Sequence, residues 1–354
     1  MKQIIKRRYF LAFTAAILAL LGLLYNGILT WALPLYTFFL VPLVEFLIPP
    51  KDQNHLEAEE QELLADKTFD WILYAIVPIQ YSLLIIFLFS MNSEMLAWER
   101  IGKIFTFGIC CGIYGINVAH ELGHRREKRE RLMSLMLLLT SQYMHFYVEH
   151  NKGHHKYVST KEDPASARLN EWIFPFWIRS ITMGYISAWK IQLKELKQKK
   201  IPFFHFKNEM LRFLFIQILL ILFIGFFFSW FVMLYYLASA GIGILLLETV
   251  NYIEHYGLER RLNTDGKYIA VKPIHSWNSD HLLGRGILFE LSRHSDHHYK
   301  ASRKYQILRS FENSPQMPTG YPGMIVLSMF PPLWFYTMNK KVDSLRKTYP
   351  EYLA

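Results

Sequence analysis

The sequence has almost no cysteine. Cys110 and Cys111 are the two present in 354 residues, and as neighbours on a helix their side chains point to different sides and do not readily pair. They read as small packing residues, which excludes a disulfide framework, a Cys-rich zinc site and a C-x-x-C redox pair. No Gly/Ser linker, fixed-period repeat or low-complexity tract occurs, so residues 1–354 are expected to form a single membrane-embedded domain. The chain also lacks a flavin motif and a Gly-rich nucleotide loop, and any redox chemistry then needs a separate electron donor. No nucleic-acid partner is expected. Charge is scarce in a different sense: it is missing from several stretches near the roughly 20 apolar residues that a spanning helix requires.

Apolar residues make up 52% of the chain and aromatic residues 16%, concentrated in those uninterrupted runs. The expected fold is an all-α integral membrane protein with six transmembrane helices, at about residues 8–28, 31–48, 69–90, 102–120, 211–229 and 231–252. The N-terminal basic patch and apolar run open like a signal peptide. However, the run continues too far and no convincing small-residue cleavage site ends it, so it reads as a retained anchor. A formal charge of +10 must then gather outside the bilayer. Lys2, Lys6, Arg7 and Arg8 place the N-terminus on the cytoplasmic side, and six crossings return the C-terminus there. Segments 121–210 and 253–354 hold most of the remaining Lys and Arg, including the Lys194–Lys200 cluster, and form the expected cytoplasmic cap. A bacterial inner membrane is the expected location.

Histidine is where the sequence is richest. The motifs His120-Glu-Leu-Gly-His124, Glu149-His150-Asn-Lys-Gly-His154-His155, Asn251-Tyr-Ile-Glu254-His255 and His294-Ser-Asp-His297-His298 all fall at or beyond the same end of a span. Residues three or four apart share a helix face, so each multi-histidine motif can aim several ring nitrogens at one point. His120, His124, His150, His154, His155, His255, His294, His297 and His298 supply nine imidazoles. A single zinc takes about four ligands, and a two-metal site is the economical reading. His120–His124 also fits the H-E-x-x-H pattern of zinc peptidases, but that chemistry leaves most of the other histidines without purpose. His145 and His275 are expected to hydrogen-bond near the clusters, and His55, His205 and His281 to be solvated.

Acidic residues are expected behind the ligands, since a metal-bound imidazole usually donates its second N–H to a carboxylate or carbonyl. Glu121, Glu149, Glu254, Asp163 and Asp296 are close enough in sequence. Glu248 lies inside the sixth run, where charge is costly and usually functional. Glu248, Asp163 and Glu254 are the acidic candidates for the catalytic machinery.

The combination of HELGH, EHNKGHH, EDPASAR (162–168), NYIEHYGL (251–258), HSWNS (275–279) and RHSDHHY (293–299) resembles the membrane alkane 1-monooxygenase family, a branch of the fatty acid desaturase and hydroxylase superfamily. The resemblance covers about residues 100–340, with Ser292, Asp280 and Tyr299 departing from the forms associated with the well-studied members. It implies six helices, two iron ions on the nine histidines without a bridging carboxylate, and O2-dependent hydroxylation of the terminal methyl of medium-chain alkanes. It also implies a rubredoxin-type electron carrier with an NAD(P)H-dependent reductase, which Arg125, Arg126, Lys128 and Arg129 would steer. A fatty acyl desaturase or hydroxylase of the same superfamily is the alternative, and a non-enzymatic membrane metal-binding or transport protein is the alternative from another class. Transport predicts polar residues along several spans, and ionisable residues there are few.

Overall fold

The computed structural model describes the backbone of residues 2–354 and the side chains from Ile5 onward; the Lys2 side chain lies outside the described residues. The described residues are helical with isolated β-bridges and no strands. Among the described residues, six helices are long and apolar enough to cross a membrane: Ile5–Leu24, Gly27–Leu47, Thr68–Ser90, Ala97–Gly123, Glu209–Phe227 and Trp230–His255. The fourth extends beyond its hydropathic core at both ends, because Glu99 and Arg100 begin it and the HELG tetrapeptide continues it.

The turns separate into two ends of the bundle. At one end, Glu99 Oε1 accepts from Gly27 N at 2.6 Å and its Oε2 from Leu96 N at 2.8 Å, joining the turn after the first span to the start of the fourth. Phe89 packs edge-on against Phe228 at 5.2 Å, bringing the turn before the sixth span alongside. Ser229 caps that span by accepting from Val232 N at 3.1 Å, which is why the chain breaks there between two apolar runs. Everything else gathers at the opposite end, where Lys51 and Gln53 carbonyls accept from Arg285 and Arg293 and Lys6 pairs with Asp66.

The fourth and sixth spans form the spine. A Cβ on Gly108 would lie 2.7 Å from Ile242 Cβ, and one on Gly243 would lie 2.5 Å from Cys111 Cβ, so the two backbones meet where side chains are small. Cys110 and Cys111 are fully buried in this packing. Outward-facing Phe46 and Phe226 are over four-fifths exposed and present to lipid. Two further helices, Ile173–Gln198 and Pro331–Thr348, brace the cap.

A buried charge cluster fastens the first span to the cap. Glu290, itself at positive φ, pairs with Arg8 and accepts from Tyr9 OH at 2.8 Å and Arg285 Nε at 2.6 Å, with Arg293 Nε 3.7 Å away. Burial alone would raise its carboxyl, but Arg285, Arg8 and Arg293 hold it down at about 2. A depressed folded-state value stabilises the fold above the unfolded carboxyl's pKa of about 4.3 and loses that contribution as pH falls through the folded value. Glu290→Gln leaves three guanidinium groups short of a partner and is expected to cost about 3–5 kcal/mol. The check is thermal unfolding in detergent at pH 7 and pH 3; a variant melting with the native chain at pH 7 contradicts the assignment.

Candidate metal centre and its cavity

Four elements converge on the cap end of the bundle. His120 and His124 follow a π-helical segment, Cys111–Val118, at the end of the fourth span, and a second π segment, His150–His154, carries the next motif. A π turn widens the helix by one residue and occurs frequently at functional sites. His255 ends the sixth span, and His294–Tyr299 is a short buried helix.

The nine histidines fall into two groups. His120, His124, His150, His155 and His297 form one, and His154, His255, His294 and His298 the other; within each, ligand atoms lie within 4.8 Å of one another. In the first group Nε2 atoms meet in a chain, His124 to His150 at 3.1 Å, His150 to His155 at 3.0 Å, His155 to His297 at 3.1 Å and His297 to His120 at 2.9 Å. In the second, Nε2 of His154 meets His298 at 3.2 Å and Nε2 of His294 meets His255 at 3.3 Å.

Protons cannot satisfy that chain. Each Nε2 has one N–H or one lone pair, yet those of His150, His155 and His297 each face two neighbours. A shared cation satisfies them all, because an ion roughly 2.1 Å from each nitrogen separates neighbouring donors by roughly 3 Å. The residues present therefore fit a pair of metal ions. Burial pushes His150, His155, His294, His297 and His298 well below the ordinary imidazole range, with neighbouring histidines adding to the effect, and holds His124 at about 3. These rings are neutral at pH 7, the state that binds metal.

The acids divide sharply by what they touch. Asp163 Oδ2 lies 2.9 Å from His154 Nδ1, while Asp163 Oδ1 accepts from Ala165 N at 3.1 Å. Burial would raise this carboxyl, but His154 and the hydrogen bonds from His154 and Ser166 keep it below its ordinary value. Glu254 is placed differently: Oε2 is 3.1 Å from Nε2 of His294, the nitrogen that faces His255 rather than the ring's back, and Oε1 accepts from Tyr321 OH at 2.7 Å. Three other expected partners bond elsewhere. Glu121 pairs with Arg125 at 2.6 Å, Asp296 with Arg303, and Glu149 accepts from Ser187 at 3.4 Å. Glu248 accepts from Tyr143 at 2.8 Å, Ser180, and Asn251 at 3.2 Å. It lines a small pocket shared with His150 and His154.

A narrow apolar cavity reaches the centre from inside the bundle. Its walls are Ile109 and Ile113 on the fourth span, Leu246 and Val250 on the sixth, and Leu288 and Leu291 in the cap; Tyr36 and Phe38 come from a third π segment in the second span. His120, His150, His294 and Glu254 close the inner end. No tryptophan lines it, and the second-span wall carries no signal in the sequence beyond its hydropathy.

Sequence comparisons agree with this construction. Residues 97–328 match the fatty acid desaturase family. The chain is 37% identical to alkane 1-monooxygenase 2 of Pseudomonas aeruginosa over 91% of its own length and 86% of the relative's. The chain belongs to the alkane 1-monooxygenase family. It is likewise 35% identical to the alkane 1-monooxygenase of Ectopseudomonas oleovorans, across 87% of this chain and 80% of that one. A more distant relative, the xylene/toluene monooxygenase hydroxylase component of Pseudomonas putida, is 26% identical over 94% of this chain and 88% of its own.

Other expectations for this alkane 1-monooxygenase family member need correction. His281 is buried rather than solvated, and its Nδ1 meets Ser279 Oγ at 3.0 Å. Arg125 is buried between Glu121 and Asp70, so it is structural and not part of a docking surface. His55 and His205 are half-buried and belong to neither group. His275 accepts from Lys272 N at 2.9 Å and donates to the Tyr352 carbonyl at 3.2 Å, whereas His145 packs edge-on against Tyr143 and Tyr185. Ser292 and Asp280 are buried in the cap and Tyr299 is exposed.

Metal content separates ligands from bystanders. His255→Ala and His297→Ala are expected to lose metal from the purified chain, Asp163→Asn to weaken its retention roughly 10- to 100-fold, and His205→Ala to leave it unchanged. Elemental analysis after dialysis against a chelator measures this; full metal in His255→Ala would remove that residue from the site.

Proposed function

We propose that this protein uses O2 and two electrons to hydroxylate the terminal methyl of medium-chain alkanes, on two iron ions held by its nine histidines. The observation that carries this reading is an apolar cavity ending on two imidazole clusters at the edge of a membrane bundle. A substrate without polar groups enters such a cavity from lipid, and the relatives named for alkane 1-monooxygenation supply the reaction. The balance is an alkane, O2, two electrons and two protons giving a 1-alkanol and water.

Iron bound at both groups would supply the redox chemistry that activates O2; imidazole is compatible with iron and with zinc alike. The chain's own side chains do the rest. Ile109, Ile113, Leu246 and Val250 exclude water and hold an alkyl chain lengthwise with one end against His120, His150 and His294. Glu254 Oε2 lies beside His294 with its other oxygen anchored by Tyr321, a fixed acceptor where the cavity ends. Glu248 gathers Tyr143, Ser180 and Asn251 behind His150 and His154. Asp163 orients His154 through Nδ1.

With 18O2 and octane deuterated at its methyl groups, the expected product is 1-octanol containing one 18O and lacking one deuterium at the oxidised carbon. A terminal alkene without 18O would instead establish desaturation.

Electrons are expected from a rubredoxin-type carrier with an NAD(P)H-dependent reductase at a cytoplasmic face of a bacterial inner membrane. His124 and His155 in the five-imidazole group are part-exposed, whereas the four-imidazole group is sealed. Exposed Arg126, Lys128 and Arg129 flank His124. An acidic carrier steered by them should reduce the protein more slowly as salt rises, since charges are screened beyond about 10 Å at 0.1 M. Stopped-flow rates independent of ionic strength would exclude steering.

A further inference from the structure

Where the helix Ile173–Gln198 ends against the start of the fifth span, a cleft opens that is lined by none of the nine clustered histidines. It is lined by Lys199, Lys207, Arg212 and Lys152 against only two carboxylates, Glu195 and Glu209. Lys152 is already paired with Glu195 at 2.8 Å, and Arg212 lies 3.5 Å from Glu209. Four cations against two anions leave the cleft with two positive charges in excess, and Lys199 and Lys207 carry them on exposed side chains. Gln192 also lines the cleft; it is 3% exposed, and its Oε1 has no hydrogen-bond partner. That oxygen needs a donor, which a bare phosphate oxygen does not provide.

The adjoining turn is shaped for a bilayer. Phe204 is 88% exposed and Phe206 71% exposed, immediately before Asn208 caps the fifth span by accepting from Leu211 N at 3.2 Å. Phe203 stacks on Trp189 at 5.9 Å and holds the turn against the preceding helix. Aromatic side chains placed where a spanning helix begins lie at headgroup depth. Apolar insertion beside unpaired lysines is the combination by which interfacial segments hold anionic lipid.

We propose that this cleft binds one anionic phospholipid whose headgroup carries both a phosphate and a hydroxyl, of the phosphatidylglycerol type. Lys199, Lys207 and Arg212 take the phosphate, Gln192 Oε1 accepts from a glycerol hydroxyl, and Phe204 and Phe206 lie among the acyl chains.

The test is titration of the detergent-solubilised full-length protein with phosphatidylglycerol, phosphatidylcholine and inorganic phosphate, read by native mass spectrometry, with metal content as the control for folding. Phosphatidylglycerol should bind in preference to phosphatidylcholine. Lys199→Gln and Lys207→Gln should each weaken it about fivefold, the equivalent of about 1 kcal/mol per basic residue at a membrane surface. Phe204→Ser with Phe206→Ser should weaken phosphatidylglycerol further while metal content stays at the native level. Equal binding of the two lipids, or native affinity in both lysine variants, overturns the proposal. Displacement by millimolar inorganic phosphate, with the phenylalanine variant binding as the native chain does, overturns it in favour of a free-anion site.

Discussion

Nine imidazoles have to face one another across a few ångströms, an arrangement that proton sharing alone cannot satisfy. Much of the fold answers to that constraint. Ring nitrogens keep their lone pairs at neutral pH only if burial and mutual repulsion prevent protonation, and the cap supplies both. A ring must also be fixed in direction, and the Asp163 carboxylate behind His154 shows how. Precision at this level needs rigid supports. The spine of the fourth and sixth spans, packed glycine against side chain at Gly108 and Gly243, carries His120 and His255 side by side at the cap end of one rigid contact.

The two groups of imidazoles meet different surroundings. One is part-open to water through His124 and His155, the other closed, and both contribute to the inner wall of the apolar cavity. Oily substrate and water-borne electrons therefore approach from different directions and need not share a path. Glu254 belongs to the closed side. Its carboxylate is tethered by Tyr321 yet directed at the Nε2 that His294 turns toward the other imidazoles, which distinguishes it from Asp163 although both were equally plausible from their position in the chain.

The parts of this architecture that were legible in the sequence are those written locally. Apolar runs gave six helices because spanning length is a property of consecutive residues, and i, i+4 spacing marked His120 and His124 as neighbours. What depends on distant pairing was not legible. Glu121 sits beside two histidines in sequence, but Arg125, one helical turn on, takes its carboxylate, and Asp70 from another span completes the pair. His281 looks like a surface residue until the cap folds over it. The three π segments leave no compositional trace, since the extra residue in each turn is set by tertiary packing, and with them the second-span wall of the cavity escaped notice.

The clamp between Arg8, Tyr9 and Glu290 joins residues from opposite ends of the chain. Its consequence concerns biogenesis. Chains are made from the N-terminus at about 5–20 residues per second, so the spans can enter the bilayer one after another while Glu290 and the His294–His298 motif are still unmade. Half of the sealed group, His294 and His298, arrives in that final stretch. Membrane insertion and maturation of the metal centre are thus separate events in the life of this protein, the second waiting on completion of the chain.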